Sequence, residues 1–409
     1  MIPRGTPDIG WRDLAAGLLG CVWSDRPERV QRRVEARWSA EQTVACLSVR
    51  SGLDLLLQAL ALPRGSELIV SAITIPDMIT IIERHGLTPV PVDLDPATLG
   101  VDPARLAQAI GPRTRAILVA HLFGSRMPLA PAVRLARQHG LLLIEDCAQA
   151  YDGAYRGDPD SDACLFSFGP IKTATALGGA LVHCQDAALA ARLRQLQARY
   201  PRQPRWLFVR RIARFAALKL LAHPQRFAVF VALCRLRRRN HDQLINEAVR
   251  GFAGQNLLAR IRLQPSAALL QLLERRLRQF DPARIEARAA FARRVLAQIP
   301  AVARPGAAAE RHTHWVLPIE SDDPETLTRV LWAHGFDATR KASSLTVVPP
   351  PDQRTPDPLN ARRLLARLVY LPMYPQLGAR DLLRLGQIVR DVERAPQLDP
   401  PVLASAVDR

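Results

Sequence analysis

The sequence predicts an α/β protein: a large domain with a mainly parallel central sheet covered by helices, then a small C-terminal α+β domain. Three observations carry this. Between residues 44 and 183, short continuous apolar runs alternate with helix-length segments, as expected for strands buried on both faces. Two long helical stretches follow, at 266–280 and 282–299. From His314 onward, strand and helix patterns mix. With 409 residues, 48% hydrophobic and 23% charged, the chain can bury a core in two or three domains.

The elements follow in order. Residues 1–40 read as an N-terminal arm with short helices. Residues 44–47 form a strand, Ser51-Gly52 a turn, and 53–62 a helix with a wide apolar face. Strand 67–70, helix 75–85 and strand 89–92 follow, the last closed by Asp93 and Asp95. Helix 103–110, strand 116–120, helix 129–139 and strand 141–144 continue the rhythm. Segments 163–168 and 180–183 add two strands, with Lys172 between them. The rhythm stops near Ala187, where a basic window begins that is broken at Pro201, Pro204 and Pro224. Beyond the two long helices come a strand at 315–319, a helix at 324–334, strand candidates at 346–348 and 368–370, and a closing helix at 380–393. The expected organisation is an arm at 1–40, a large domain at 41–250 containing a basic amphipathic segment at 199–240, bridging helices at 251–300, a small domain at 301–395 and a loose tail at 396–409.

Composition bounds the setting. The start, MIPRGTPDIGW, lacks the basic and apolar regions of a signal peptide. No run approaches the roughly 18 apolar residues that span a membrane. Six scattered cysteines show no C-x-x-C pair and no zinc-like spacing with histidine, so no metal site is expected. Reduced, buried cysteines predict a cytoplasmic protein; Cys147 reads as a small buried residue after a strand. The net charge of +18 is uneven: from Ala187 to His241 there are fourteen Arg or Lys and no acid. Such a patch points to an anionic partner.

Lysine is scarce. Only Lys172, Lys219 and Lys341 stand among 56 basic residues. Arginine carries charge but stays protonated at physiological pH, whereas an amine can lose its proton and form a Schiff base with a carbonyl. Asp146 ends the strand LLLIED, where ligands of open α/β sheets bind; Glu145 points the other way because side chains alternate. Ser51-Gly52 opens a helix after a strand, a place where N–H groups can cradle a phosphate, and Arg50 beside it can add a charged contact. Each feature alone has a plain structural explanation: a loop cap for Asp146, an N-cap for Ser51, a solvated surface arginine for Arg50. Together they compose a pyridoxal phosphate site: Lys172 for the Schiff base, a carboxylate for the pyridinium nitrogen, a helix start for the phosphate, and the Ser167 hydroxyl beside it.

The stretches SGLDLLLQALALPRGSELIVSAITIPDMITII, ILVAHLFG, LLLIEDCAQAYDG and SFGPIKTATALGGALV resemble the DegT/StrS family of fold-type-I, PLP-dependent aminotransferases. The similarity runs over roughly residues 42–185 and more weakly over 255–392, where THWVLPI and LVYLPMYPQL are similar to the family's small domain. It implies Asp146 on the pyridinium nitrogen, Gln149 near the ring oxygen, Ser167 on the phosphate and Lys172 as Schiff-base lysine and proton shuttle. It also implies a homodimer with glutamate as amino donor. Where the family pattern has a Thr after the Gly, this chain has Leu53; where an aromatic covers the ring, it has Ile75, which can still pack on the ring face. The stretch after the lysine carries Thr173-Ala174-Thr175 in place of further glycine, and Asn256 is the one candidate for an Asn that reaches the neighbouring subunit. These departures widen the acceptor from a nucleotide-linked keto sugar to a keto group on a sugar-like, cyclitol or lipid-linked molecule. Alternatives are another PLP reaction, such as a lyase or racemase, and a non-catalytic PLP-binding or membrane-docked scaffold.

In segment 199–240 arginines alternate with Trp206, Phe208, Phe215, Phe227 and Phe230. Two readings stand: an interfacial helix on an anionic bilayer, peripheral on the inner face of the membrane, or a solvated basic face whose apolar side packs on the core. No nucleic-acid-binding motif accompanies the charge, so nucleic acid is not the expected partner.

Overall fold

The computed structural model describes residues 1–249, 256–341 and 344–394. The expected tail at 396–409 lies outside them, as does the boundary between 250 and 251. Helices α1 (Trp11–Val22) and α2 (Pro27–Ala36) precede the sheet. Then come β1 (Thr43–Cys46), α3 (Val49–Leu60), β2 (Glu67–Ser71), β3 (Ile73–Thr74), α4 (Pro76–Arg84), β4 (Thr88–Val92), α5 (Pro103–Ala109) and β5 (Thr114–Ala120). They are followed by β6 (Ser125–Arg126), α6 (Ala130–His139), β7 (Leu142–Asp146), β8 (Ala163–Ser167) and β9 (Ala180–Cys184). The helical middle contains α7 (Ala187–Ala198), α8 (Arg205–Leu221), α9 (Pro224–Leu236), α10 (His241–Val249), α11 (Leu257–Ile261), α12 (Ala267–Arg278) and α13 (Ala283–Leu296). The last part holds β10 (Arg311–His312), β11 (Leu317–Glu320), α14 (Pro324–Ala333), β12 (Thr346–Val347), α15 (Leu359–Arg367), β13 (Leu368–Leu371) and α16 (Ala379–Arg394).

Seven strands form one sheet in the order β1-β9-β8-β7-β5-β2-β4. β8, β7, β5, β2 and β4 run parallel, and β9 runs antiparallel to both its neighbours. Alternation sends side chains to two layers. Ala116, Leu118, Ile144 and Leu165 pack with α3, α4 and α7 on one face. Ile117, Val119 and Leu143 pack with α5 and α6 on the other, and Phe166 and Leu181 with α1, α2, α8 and α12. Runs apolar at every position are therefore required: both faces are dry.

The bridging helices divide at Asp281-Pro282. α12 packs into the large-domain layer through Leu269, Leu270, Leu272 and Leu273. α13 enters the smaller core through Phe291, Ala292 and Val295, beside the antiparallel pair β11–β13, α14 and α16. The C-terminal part also returns to the large domain. β12 pairs with β3, β10 with β6, and the buried Asp93 carboxylate accepts from the first N–H groups of α15, Asn360 at 2.9 Å and Ala361 at 3.0 Å. Asp93 thus serves as a helix cap supplied from a distant strand.

Candidate active site

β7 delivers two adjacent carboxylates to opposite faces. Glu145 is fully buried and accepts from His121 Nε2 at 2.9 Å, Tyr155 OH at 2.7 Å and the Asp158 N–H at 2.7 Å. The Met127 N–H donates to His121 Nδ1 at 3.1 Å, so the proton His121 gives to Glu145 sits on Nε2. Burial alone would raise the Glu145 carboxyl, but the His121 and Tyr155 bonds outweigh it and hold it down at about 2. Cys147 is buried against the same carboxylate, its thiol pushed well up by desolvation. His121, Glu145 and Cys147 bring potential ligand atoms within 4.8 Å of one another, yet hydrogen bonds among them already account for the cluster.

Asp146 shares the face of Ile144 and stands half-buried at the strand end. Its Oδ1 accepts from the Ala148 N–H at 2.9 Å. Burial raises its carboxyl; the Ala148 N–H, Lys172, His121 and Arg50 pull the other way. Three residues on, Gln149 Oε1 accepts from the Phe123 N–H at 2.7 Å, which fixes the side chain at the same sheet end.

Lys172 lies in the connection from β8 to β9. Ser167 ends β8, and its Oγ accepts from the Gly169 N–H at 3.3 Å. The Lys172 N–H returns to Gly169 O at 3.0 Å, and Thr175 Oγ1 donates to the same carbonyl at 2.7 Å. Ala174 and Leu177 adopt left-handed backbone (φ 55° and 62°), conformations that cost a side-chain-bearing residue about 1–2 kcal/mol. The stretch therefore makes the bends expected of glycine without it, and the Thr175 bonds with that of Asp8 Oδ2 to the Ala174 N–H (2.7 Å) hold it there. Gly179 joins the connection to the end of β1 through Leu47 O at 2.9 Å. The Lys172 ammonium sits 4.4 Å from the centre of the Trp315 ring. Burial lowers it from 10.5 to about 8; Asp146 opposes the shift and Arg50 reinforces it.

The helix after β1 corrects the sequence reading. α3 starts at Val49, and Ser48, not Ser51, is its N-cap, with Oγ accepting from the Ser51 N–H at 3.2 Å. The Gly52 N–H already bonds Ser48 O at 2.9 Å. Gly52 is glycine for packing: a Cβ there would stand 2.6 Å from Val182 Cγ2 on β9. Leu53 is fully buried in the same layer. The helix start nearest the site is thus Val49-Arg50. The expectation of a turn at Ser51-Gly52 and a helix beginning at residue 53 fails because Ser48 caps first. Arg50 pairs with Asp77 in the first turn of α4 and acts electrostatically on both Lys172 and Asp146. Ile75 is the half-buried N-cap residue of α4 and packs on the α3/α4 layer. Asn256 precedes α11 with left-handed backbone and makes no side-chain cap bond.

Beside Lys172 opens a cavity of about 430 Å³. Trp315 and Arg288 line it, and both were missed from sequence. Each has a buried nitrogen without a hydrogen-bond partner among the described residues, Trp315 Nε1 and Arg288 Nε; Arg288 Nη2 donates to Thr173 Oγ1 at 3.2 Å. No local pattern marks them, since they come from α13 and the small domain.

The parallel sheet with its antiparallel β9, the lysine after β8 and the carboxylate ending β7 define a fold-type-I α/β transferase fold. A crystal structure of the aminotransferase TlmJ from Streptoalloteichus hindustanus shares it, with TM-score 0.69 at 21% identity over 96% of this chain and 98% of that one. Another, of 3-amino-5-hydroxybenzoic acid synthase, gives TM-score 0.66 at 19% identity over 96% and 98%. Residues 25–206, which carry Asp146 and Lys172, match the model of the DegT/DnrJ/EryC1/StrS aminotransferase family. Among curated relatives, GDP-perosamine synthase of Caulobacter vibrioides is 37% identical over 38% of this chain and 43% of its own length. The erythromycin biosynthesis sensory transduction protein EryC1 of Saccharopolyspora erythraea is 41% identical over 44% and 51%. The chain thus spans about half or less of the length of the curated relatives it matches.

Proposed function

We propose that this protein is a pyridoxal phosphate-dependent aminotransferase that moves an amino group from an amino acid, glutamate by resemblance, to a keto group on a sugar-like acceptor. The observation that carries the reading is Lys172: a half-buried amine lowered to about 8, within electrostatic reach of the Asp146 carboxylate. Pyridoxal phosphate fits the chemistry of Lys172, Asp146 and Ser167, an amine able to lose its proton, a carboxylate and a hydroxyl; of these three Lys172 is the one on the cavity wall, together with Trp315 and Arg288, whose Nε1 and Nε lack partners among the described residues. When bound, the cofactor supplies a carbonyl that condenses with amines and a ring that accepts the electrons released at the carbon beside the nitrogen.

This chain's residues would do the rest. Asp146 holds a proton on the ring nitrogen. Gln149 would meet the ring oxygen, and Ile75 would cover the ring. Ser167 and Arg50, in the first turn of α3, would bind the phosphate, whereas the Ser51 and Gly52 N–H groups are already taken by Ser48. Lys172 Nζ takes the proton from the donor's α-carbon in one half-reaction and returns one to the acceptor's former carbonyl carbon in the other. An amine near 8 is populated in both forms at neutral pH, which suits a shuttle. The GDP-perosamine synthase relative supports a sugar-like acceptor. The six free, buried cysteines support a reducing, cytoplasmic compartment. A homodimer rests on the resemblance. Lys172→Ala is expected to abolish both the cofactor's visible absorbance and amine transfer; a variant that retains both refutes the assignment.

A further inference from the structure

The wall of the Lys172 cavity is of two kinds. Lys172, Thr173 and Arg288 are on it. Other charges on the wall are already matched, Arg4 with Asp337 and Arg284 with Asp8. The helices α8, α9 and α10 contribute Phe215, Leu218, Leu221, Phe227 and Ile245, with Asn246, whose Oδ1 accepts from Arg4 at 3.2 Å, as a polar group already engaged. A base and ribose placed against these apolar side chains would lose hydrogen bonds to water without replacement. An aliphatic chain would lose none and gain its burial.

The same helices are unusual outside. α8 buries Phe208, Ile212 and Phe215, and α9 buries Phe227, Val231 and Cys234. A second apolar stripe, Trp206, Val209, Ala213, Ala217 and Leu220, faces solvent on α8. Val229, Leu233 and Leu236 repeat it on α9. Spacings of three and four residues keep each stripe on one helix face. Arg210 and Arg214 flank the first stripe, and Arg237, Arg238 and Arg239 follow the second, all exposed. The basic-face alternative is thus half realised: one apolar side does pack on the core, and another remains outside. Neither helix is long enough to cross a membrane, and the two bend by 101° at their junction. A second copy of the chain docked symmetrically on these stripes would set arginine against arginine, since no acid lies between Ala187 and His241. An anionic bilayer offers both the apolar layer and the countercharge.

Building on the aminotransferase reading, we infer that the acceptor's keto-bearing head is carried on a lipid rather than a nucleotide. The head sits at Lys172, with any anionic group on Arg288, and the apolar chain lies along α8–α10. The protein takes the molecule from an anionic bilayer on which the outer stripes of α8 and α9 rest.

The test uses the full chain loaded with pyridoxal phosphate. Wild type is expected to sediment with phosphatidylcholine vesicles containing phosphatidylglycerol and to remain in solution with phosphatidylcholine alone. The triple variant Val229→Ser, Leu233→Ser, Leu236→Ser should bind the anionic vesicles at least about tenfold less while its glutamate half-reaction is unchanged. Dodecyl phosphate, a single-chain amphiphile, should shift the cofactor absorbance, GDP should not, and Leu221→Trp, which crowds the apolar wall, should weaken the response at least about tenfold. Tight GDP binding with no response to dodecyl phosphate would overturn the lipid carrier. A triple variant that changes oligomeric state and keeps its vesicle binding would overturn the docking surface. Failure of the glutamate half-reaction in wild type would instead strike the aminotransferase reading, so the two claims fail separately.

Discussion

Glu145 and Asp146 are neighbours on β7, yet their surroundings move them in opposite directions. Glu145 meets donors from three other segments and is held near 2; Asp146 is raised by burial at an open end. A carboxyl depressed on folding from about 4.5 supplies stability that is full above 4.5 and lost as pH falls toward 2. Glu145→Gln is expected to lower stability at pH 7 by roughly 2–4 kcal/mol and to flatten the acid limb of a urea-unfolding series. An unchanged acid limb would contradict the assignment. Asp146 was legible because it ends a short apolar run, and Lys172 because lysine is scarce among the basic residues of the chain. Trp315 and Arg288 were not, because their placement depends on contacts with distant segments.

At the scale of elements, α3 shows why the reading slipped by four residues. The apolar strand reads as ending at Leu47 and Ser51-Gly52 has the look of a turn; only Ser48 closing on the Ser51 N–H reveals the helix start at Val49. Gly52 was attributed to anion approach, but its contact is Val182 on β9. Gly→Ala inside a helix ordinarily stabilises by about 1 kcal/mol. Here Gly52→Ala is expected to destabilise by about 1–3 kcal/mol, and Val182→Ala to relieve part of that in the double variant. Thermal unfolding of the three variants checks this; a stabilised single variant would mean the packing is looser than the contact indicates. The strand pattern itself was legible almost throughout, since burial on both faces leaves an unbroken apolar signature.

At the scale of the molecule, the N-terminal arm ties the parts around the cavity. Arg4 holds the fully buried Asp337 through Nε at 2.7 Å and Nη2 at 2.9 Å, and Arg4 O accepts from the Met373 N–H. Farther along, Asp8 O accepts from Arg276 on α12 at 2.6 Å. Arg4→Ala leaves Asp337 charged and buried with the residue 4 N–H and His241 but no guanidinium beside it, so a loss of about 3 kcal/mol is expected in urea unfolding. Arg4→Ala with Asp337→Asn should cost clearly less than the sum of the single changes; full additivity would show that the pair does not couple. None of this was visible in a segment that reads as an arm with short helices, because partners such as Asp337 lie more than three hundred residues away. The charge asymmetry was visible, but not the second apolar stripe, which needs the buried one to be placed first.

The central claim is that Lys172 is the amine that holds the cofactor. Borohydride reduction of the full chain with pyridoxal phosphate, followed by peptide mass spectrometry, tests it most directly, since the chain offers only three lysines. Attachment is expected at Lys172 and is expected to fall when glutamate is added before reduction. Attachment confined to Lys219 or Lys341, or none at all, would contradict it.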